Sequence, residues 1–186
     1  MLLVPESQNQ LPAAKRVGRI HSVESCGAVD GPGLRYVIFT QGCHFRCKYC
    51  HNPDTWVLQE GKQRTVSRLM NDIRSYIPFM RASGGGITVS GGEPLLQPEF
   101  VAGLFEECHK LGIHTALDTN GYGTPENVTQ VLEHTDLVLL DLKQLNPERH
   151  KALVGMTNTR TLEFARFVSD LGVPMWVRYV VVPGWS

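Results

Sequence analysis

With 186 residues, 42% of them hydrophobic, the chain has the material for one domain with a substantial core. Lys plus Arg and Asp plus Glu both number 18, so the formal net charge is zero, and no Lys/Arg run points to a nucleic acid or an anionic membrane surface. No stretch approaches the roughly 20 apolar residues of a membrane span, and residues 1–15 lack the basic start and apolar centre of a secretory signal. A cytoplasmic protein is expected, with a flexible polar tail over 1–15 and a core domain over 16–186.

In chain order, the pattern alternates β-rich runs with helical periodicity. The apolar runs Tyr36–Gln41, Ile87–Ser90, Ile113–Leu117, Leu137–Leu142 and Met175–Val182 predict strands covered on both faces. Val66, Leu69, Met70, Ile73, Ile77 and Met80 keep the spacing of one helix stripe, with Pro78 expected to kink its last turn. Pro98 opens a second helix, whose face is Val101, Leu104, Phe105, Cys108 and Leu111 and whose stop is Gly112. Thr124-Pro125-Glu126 and Asn146-Pro147-Glu148 start two more, and Leu162, Ala165, Val168 and Leu171 form a last stripe ended by Gly172. Five β/α units in one direction define an α/β fold with parallel strands, either a barrel or an open doubly wound sheet. Cys43, Glu93, Asp118 and Asp141 each follow or end a different strand, where parallel folds gather their ligands, so one crevice is expected to collect all four.

Three of the five cysteines, Cys43, Cys47 and Cys50, fall within GCHFRCKYCHN. An odd count with this clustering suits a metal site in a reducing compartment better than disulfides. Three thiolates can hold three corners of a 4Fe–4S cubane and leave the fourth iron open to an exogenous ligand. A Cys3His zinc site using His51 is the alternative, although zinc sites usually draw on a second, separate pair. Cys26 is a conceivable fourth ligand, whereas Cys108 shares a helix face with Leu104 and Phe105 and is expected to pack in the core.

CxxxCxxC with Tyr49 before its last cysteine, followed one strand later by Ser-Gly-Gly-Glu at 90–93, resembles the radical S-adenosylmethionine superfamily. RIHSVESCGAVDGPGLRYVIFTQGC, CHNPDTW, ASGGGITVSGGEPLLQ, LDTNG, DLVLLDLKQ and RYVVVPGWS are similar, over about residues 17–186, to the family of activating enzymes of pyruvate formate-lyase. The resemblance implies a (β/α)6 radical-SAM barrel, here partial and truncated after the fifth strand, with that strand left as an exposed apolar edge. It implies an oxidoreductase in which a 4Fe–4S cluster reductively cleaves S-adenosylmethionine and the 5′-deoxyadenosyl radical abstracts hydrogen from a glycine of pyruvate formate-lyase. A flavodoxin-type electron donor is implied as a second partner.

The site residues implied by the resemblance follow motif by motif. Cys43, Cys47 and Cys50 match the cluster ligands. Tyr49, Cys50, His51, Gly92, Glu93, Asp141, Leu142 and Lys143 match the cofactor wall. Asp118, Thr119, Asp141 and the backbone of Leu139 match a monovalent cation site, and Asp30 in DGPG matches a contact to the substrate glycine loop. Other uses of these residues stay open: Gly92 as a turn, Asp118 and Asn120 as caps, and Asp141 with Lys143 as a structural ion pair. His21, His44, His109, His114, His134 and His150 are expected at the surface or in packing. Arg35 and Arg178 are candidates to neutralise carboxylates. Two other functions compete: activation of another glycyl-radical enzyme, such as anaerobic ribonucleotide reductase, and a non-enzymatic iron–sulfur module. The 39 residues between Cys50 and Ser90 contain no cysteine, which disfavours activases carrying a ferredoxin-like insertion.

Overall fold

The computed structural model describes residues 8–185. Its elements are β1 (Val17–Gly27), β2 (Arg35–Thr40), β3 (Lys62–Thr65), α1 (Val66–Arg74), α2 (Ile77–Ser83), β4 (Gly86–Gly91), α3 (Pro98–His109), β5 (His114–Thr119), α4 (Pro125–Leu132), β6 (Leu137–Asp141), α5 (Pro147–Val154), α6 (Thr159–Asp170) and β7 (Met175–Arg178). One seven-stranded sheet runs β3-β1-β2-β4-β5-β6-β7. From β2 to β7 all pairings are parallel, whereas β1 is antiparallel to both β2 and β3.

The parallel strands follow one another in sequence order without reversal. Right-handed crossovers then place every helix on the same face, which excludes the doubly wound alternative and leaves an open, partial barrel. On the helix side, Ile38, Val89, Leu117 and Leu140 pack against Ile73, Leu104, Phe105, Val131 and Val168. Cys108 is buried there with its sulfur 3.7 Å from that of Met70, the packing role expected of it. The opposite face is the barrel interior; Ala116, Leu137 and Leu139 form a small apolar cluster on it, and its carboxyl-end side carries polar groups.

Several elements differ from the sequence expectation. The antiparallel β1 and β3 escape it because neither has an apolar run: KQRT is wholly polar, and five consecutive residues of β1 are exposed. Pro78 does not kink one long helix. The chain breaks at Ser75–Tyr76, and Pro78 sits in the first turn of α2, where its missing N–H costs nothing. In α6 the buried side chains are Thr161, Phe164 and Val168, while Leu171 is exposed. β7 ends at Arg178, opposite the last residue of β6, rather than running to Val182. It pairs only with β6 among the described strands, and Trp176, Val177 and Val181 are exposed, in keeping with the expected apolar edge.

Of the expected tail, residues 1–7 lie outside the described residues. Residues Gln8–Gln10 and Ala13–Lys15 form single 3₁₀ turns, with Ala13 buried. Arg16 behind them donates to the Glu99 carbonyl of α3 at 3.2 Å. No helix among the described residues is long and apolar enough to cross a membrane.

Candidate active site on the inner face of the sheet

Residues two apart on a strand face the same way, so the inner face presents Ser90 of β4, Asp118 of β5, Asp141 of β6 and Arg178 of β7. With the loops after β2 and β4 they line a cavity of about 440 Å³ that also takes in Asp30, Cys43, Cys47, Tyr49, Cys50, His51, Gly92, Thr119 and Lys143. A larger hollow of about 630 Å³ lies beside β1, lined by Gln8, Gln41, Gln63 and Gln97, and contains neither a cysteine nor a carboxylate.

The cysteine loop leaves β2 through Gly42, at φ 101°, a conformation open chiefly to glycine. Phe45 is buried behind the loop, edge-on to Tyr122 and His150 at 5.6 Å. The amides of Arg46 and Lys48 donate to the carbonyls of Val154 and Leu153 at the end of α5, at 2.8 and 3.1 Å. Arg46 also donates to the carbonyls of Cys43 and Phe45, at 2.6 and 2.8 Å. The loop is thus shaped by α5 and by its own arginine.

All five cysteines are free thiols. Cys26 and Cys108 stand away from the cavity, so neither supplies a fourth ligand. Among the described residues no three His, Cys, Asp or Glu side chains converge as a single ion requires. Burial pushes the Cys43 thiol up to about 12 and raises that of Cys47, although Lys143 works against the shift at Cys47. Buried thiols of this kind become ligands only when a metal compensates the lost solvation of the thiolate. The Tyr49 hydroxyl, buried on the cavity wall, has no hydrogen-bond partner among the described residues, as expected of a group waiting for a ligand. The residues present therefore fit an iron–sulfur cluster with a bound cofactor beside it.

Across the inner face runs a chain of polar contacts. Ser90 Oγ donates to Asp118 Oδ2 at 2.7 Å, and the Arg178 guanidinium donates to Asp118 Oδ1. Arg178 Nε donates to Asp141 Oδ1 at 2.9 Å, and Lys143 Nζ to Asp141 Oδ2 at 2.6 Å. Burial raises the Asp118 carboxyl above its ordinary range against the pull of Arg178. Burial also opposes the charge on Lys143, but Asp141, Cys47 and Tyr49 together outweigh it and the amine is raised. Asp118, Thr119 and Asp141 line the same cavity, and Leu139 is the register partner of Asp118; the Thr119 hydroxyl is engaged by Glu93 and the Gly121 amide. In this structure Arg178 supplies the positive charge between the two carboxylates.

Glu93 is placed differently from the sequence expectation. It is fully buried and does not line the cavity. Thr119 Oγ1 and the Leu95 amide donate to its Oε1 at 2.6 and 2.9 Å, and the Asn120 amide to its Oε2 at 2.8 Å. With both oxygens occupied by protein donors, it acts as a clamp between loops, and only three of the four strand-end residues reach the crevice. Leu139, buried on the inner face beside Ala116 and Leu137, and Leu142 do not line the cavity either; the Leu142 amide pairs with the Arg178 carbonyl at 2.9 Å. Gly92 does line the cavity, and a Cβ there would overlap the Gly42 carbonyl oxygen. Asp141 and Lys143 form the ion pair considered from sequence and also line the cavity.

Phe45, which plugs the loop from behind, is not singled out in the sequence. Asn120 is expected there as a cap, and it does accept from the Tyr122 amide at 2.9 Å; beyond that role it places its amide 3.9 Å from Cys43 Sγ. Nothing in the local pattern separates Phe45 from any other loop residue. Arg178 could have been placed by its alternation with Asp141 across neighbouring strands.

This fold and site define a class, and comparison with known proteins agrees. Residues 37–186 match the Radical SAM superfamily, and the chain belongs to it. It is 58% identical over 172 residues to pyruvate formate-lyase 1-activating enzyme of Escherichia coli K12, covering 91% of this chain and 70% of that protein. It is 51% identical over 176 residues to pyruvate formate-lyase-activating enzyme of Staphylococcus aureus USA300, with the same coverage. A crystal structure of a domain of pyruvate-formate lyase-activating enzyme from Bacteroides vulgatus superposes with a TM-score of 0.52 at 35% identity. That superposition covers 55% of this chain and 63% of that one. Within the superfamily the chain belongs to the family of pyruvate formate-lyase activating enzymes, oxidoreductases that work with a 4Fe–4S cluster and S-adenosylmethionine.

Proposed function

We propose that the chain activates pyruvate formate-lyase by generating a glycyl radical in it, with the inner-face cavity as the active site. The observation that carries this reading is the meeting of three free cysteines with a wall of fixed charges in one cavity. Bound there, the cluster and S-adenosylmethionine supply the one-electron chemistry that removes a hydrogen atom from a glycine of the partner.

The chain's own residues position and insulate that chemistry. Cys43, Cys47 and Cys50 would hold three irons, and Phe45 and the carbonyl anchors on α5 keep their loop in shape. Gly92, whose Cβ position is filled by the Gly42 carbonyl, packs the turn against the cysteine loop and presents its backbone to the amino-acid end of S-adenosylmethionine. Lys143 and Asp141 present opposite charges for the carboxylate and ammonium groups of that end. Tyr49 and His51 form the adenosine side, with the unpartnered Tyr49 hydroxyl free to donate. Asp118, Thr119 and Asp141 suit a monovalent cation once Arg178 moves aside. Asp30 faces the glycine-bearing segment from the opposite rim.

A flavodoxin-type protein is the proposed electron donor, and the cytoplasm the proposed location; the free thiols suit a reducing compartment. The test is anaerobic reconstitution of the cluster, reduction, and addition of S-adenosylmethionine with pyruvate formate-lyase. A glycyl radical signal in electron paramagnetic resonance, with one 5′-deoxyadenosine per radical, is expected. Cluster loading without any cofactor cleavage would defeat the reading.

A further inference from the structure

Asp30 sits on a loop (28–33) with no regular structure of its own, and the outer side of that loop is open, with Val29 87% exposed. What holds its inner side is Arg35, the first residue of β2, whose side chain is fully buried beneath the cavity. Arg35 Nε donates to Thr88 Oγ1 at 3.0 Å, and that hydroxyl donates onward to the Asp30 carbonyl at 2.7 Å. Another guanidinium nitrogen reaches the Pro32 carbonyl at 3.4 Å and His114 Nδ1 at 3.2 Å, and the third donates to the Ile87 carbonyl. Gly31 lies so close that a Cβ there would be 3.4 Å from Arg35 Nε.

No carboxylate among the described residues forms an ion pair with Arg35. Burying a guanidinium without one is costly, and an apolar side chain could fill the same space more cheaply. What an apolar residue could not do is hold two carbonyls of an irregular loop against the sheet. We propose that Arg35 is a positioning residue for the protein substrate: through Thr88 and Pro32 it fixes the 28–33 loop and so sets where Asp30 meets the glycine-bearing segment.

This inference rests on the reading of Asp30 as a substrate contact. The reconstituted holoenzyme and its Arg35→Lys, Thr88→Val and Asp30→Ala variants would be assayed with purified pyruvate formate-lyase. Radical formation gives KM and kcat for the partner; iron content, S-adenosylmethionine affinity and Tm are measured beside them. Thr88→Val keeps the side-chain volume and removes only the hydroxyl relay.

The expected result is a KM for the partner raised about tenfold in Arg35→Lys and Thr88→Val, the effect of one mispositioned charged hydrogen bond. S-adenosylmethionine affinity, iron content and kcat should stay near those of the unaltered enzyme. In the Asp30→Ala background, Thr88→Val should add no further rise, because the relay acts through that residue. A lowered Tm with unchanged KM, or fully additive effects in the double variant, would reduce Arg35 to a structural role and overturn the proposal. An unchanged KM in Asp30→Ala would overturn it by removing the contact it depends on. An unaltered enzyme that forms no radical would instead defeat the activase reading.

Discussion

The carboxylate of Glu93 and the hydroxyl of Thr119 meet at 2.6 Å, joining the glycine-rich turn after β4 to the end of β5. The Asn120 amide binds the other oxygen of the same carboxylate, and the Asn120 side chain reaches Cys43. Two motifs that look independent in sequence, Ser-Gly-Gly-Glu and Leu-Asp-Thr-Asn-Gly, are therefore one unit set against the cysteine loop.

That clamp has a pH signature. Burial pushes the Glu93 carboxyl up from 4.5 to about 7, against three hydrogen bonds that favour its anion. A raised folded-state value means the native chain holds a proton that the unfolded chain has lost between these limits. Its contribution to stability is then full below pH 4.5 and is lost as pH rises through 7. Relative to Glu93→Gln, which cannot titrate, the unaltered protein should lose about 3 kcal/mol of stability between pH 5 and 8. Urea denaturation of both at a series of pH values checks this; parallel curves would contradict it.

Arg178 carries a second prediction. It bridges Asp118 and Asp141, and Asp118 would keep only the Ser90 hydroxyl if the guanidinium were removed. Arg178→Met should cost roughly 2–3 kcal/mol at neutral pH, somewhat below a fully buried pair because the arginine is partly exposed. Adding Asp118→Asn should recover a large part of that loss, since it removes the unpaired charge. Denaturant midpoints of the two single variants and the double variant measure the coupling.

How far the sequence disclosed this molecule follows from which forces are local. The five parallel strands could be read because burial on both faces demands continuous apolar runs such as Leu137–Leu140. β1 and β3 could not, since one face meets water and Lys62–Thr65 carries no apolar residue. The three cysteines and the strand-end carboxylates were legible because their chemistry needs particular residue types. The direction Glu93 faces was not: the turn from Gly91, at φ 105°, swings it into the protein, and donors from Leu95, Thr119 and Asn120 make that burial tolerable. Arg35, expected to neutralise a carboxylate, instead meets a threonine hydroxyl, a histidine ring and backbone carbonyls, partners without a sequence signature.

The cysteines should separate cleanly by position. Ala at 43, 47 or 50 removes a cavity thiol, and iron and sulfide after anaerobic reconstitution should fall to near background. Cys26→Ala, on the exposed end of β1, should retain full loading. Cys108→Ala should also load fully while losing about 1 kcal/mol of stability to the small void left beside Met70. Iron analysis with denaturant unfolding distinguishes the three outcomes, and normal loading in Cys43→Ala would remove it from the ligand set.

Gly92 gives the sharpest steric prediction. Its amide donates to the Thr40 carbonyl at 2.9 Å, and the next amide, of Glu93, donates to the Gly42 carbonyl at 2.8 Å. The Cβ of Gly92→Ala would overlap that same Gly42 oxygen, which is backbone and cannot swing aside as a flexible side chain would. Relief requires the turn to move away from Gly42 or the cysteine loop to move with it, because Gly42 directly precedes Cys43. Gly112→Ala is the control: it has a positive φ of 64° but nothing within 4 Å, so it meets backbone strain alone, about 1 kcal/mol. Gly92→Ala should weaken S-adenosylmethionine binding at least about tenfold, the size of one lost close backbone contact. Gly112→Ala should bind normally and show only a lower Tm. Calorimetric titration of the reconstituted proteins reads the difference, and equal affinities in the two variants would mean the turn does not abut the cofactor.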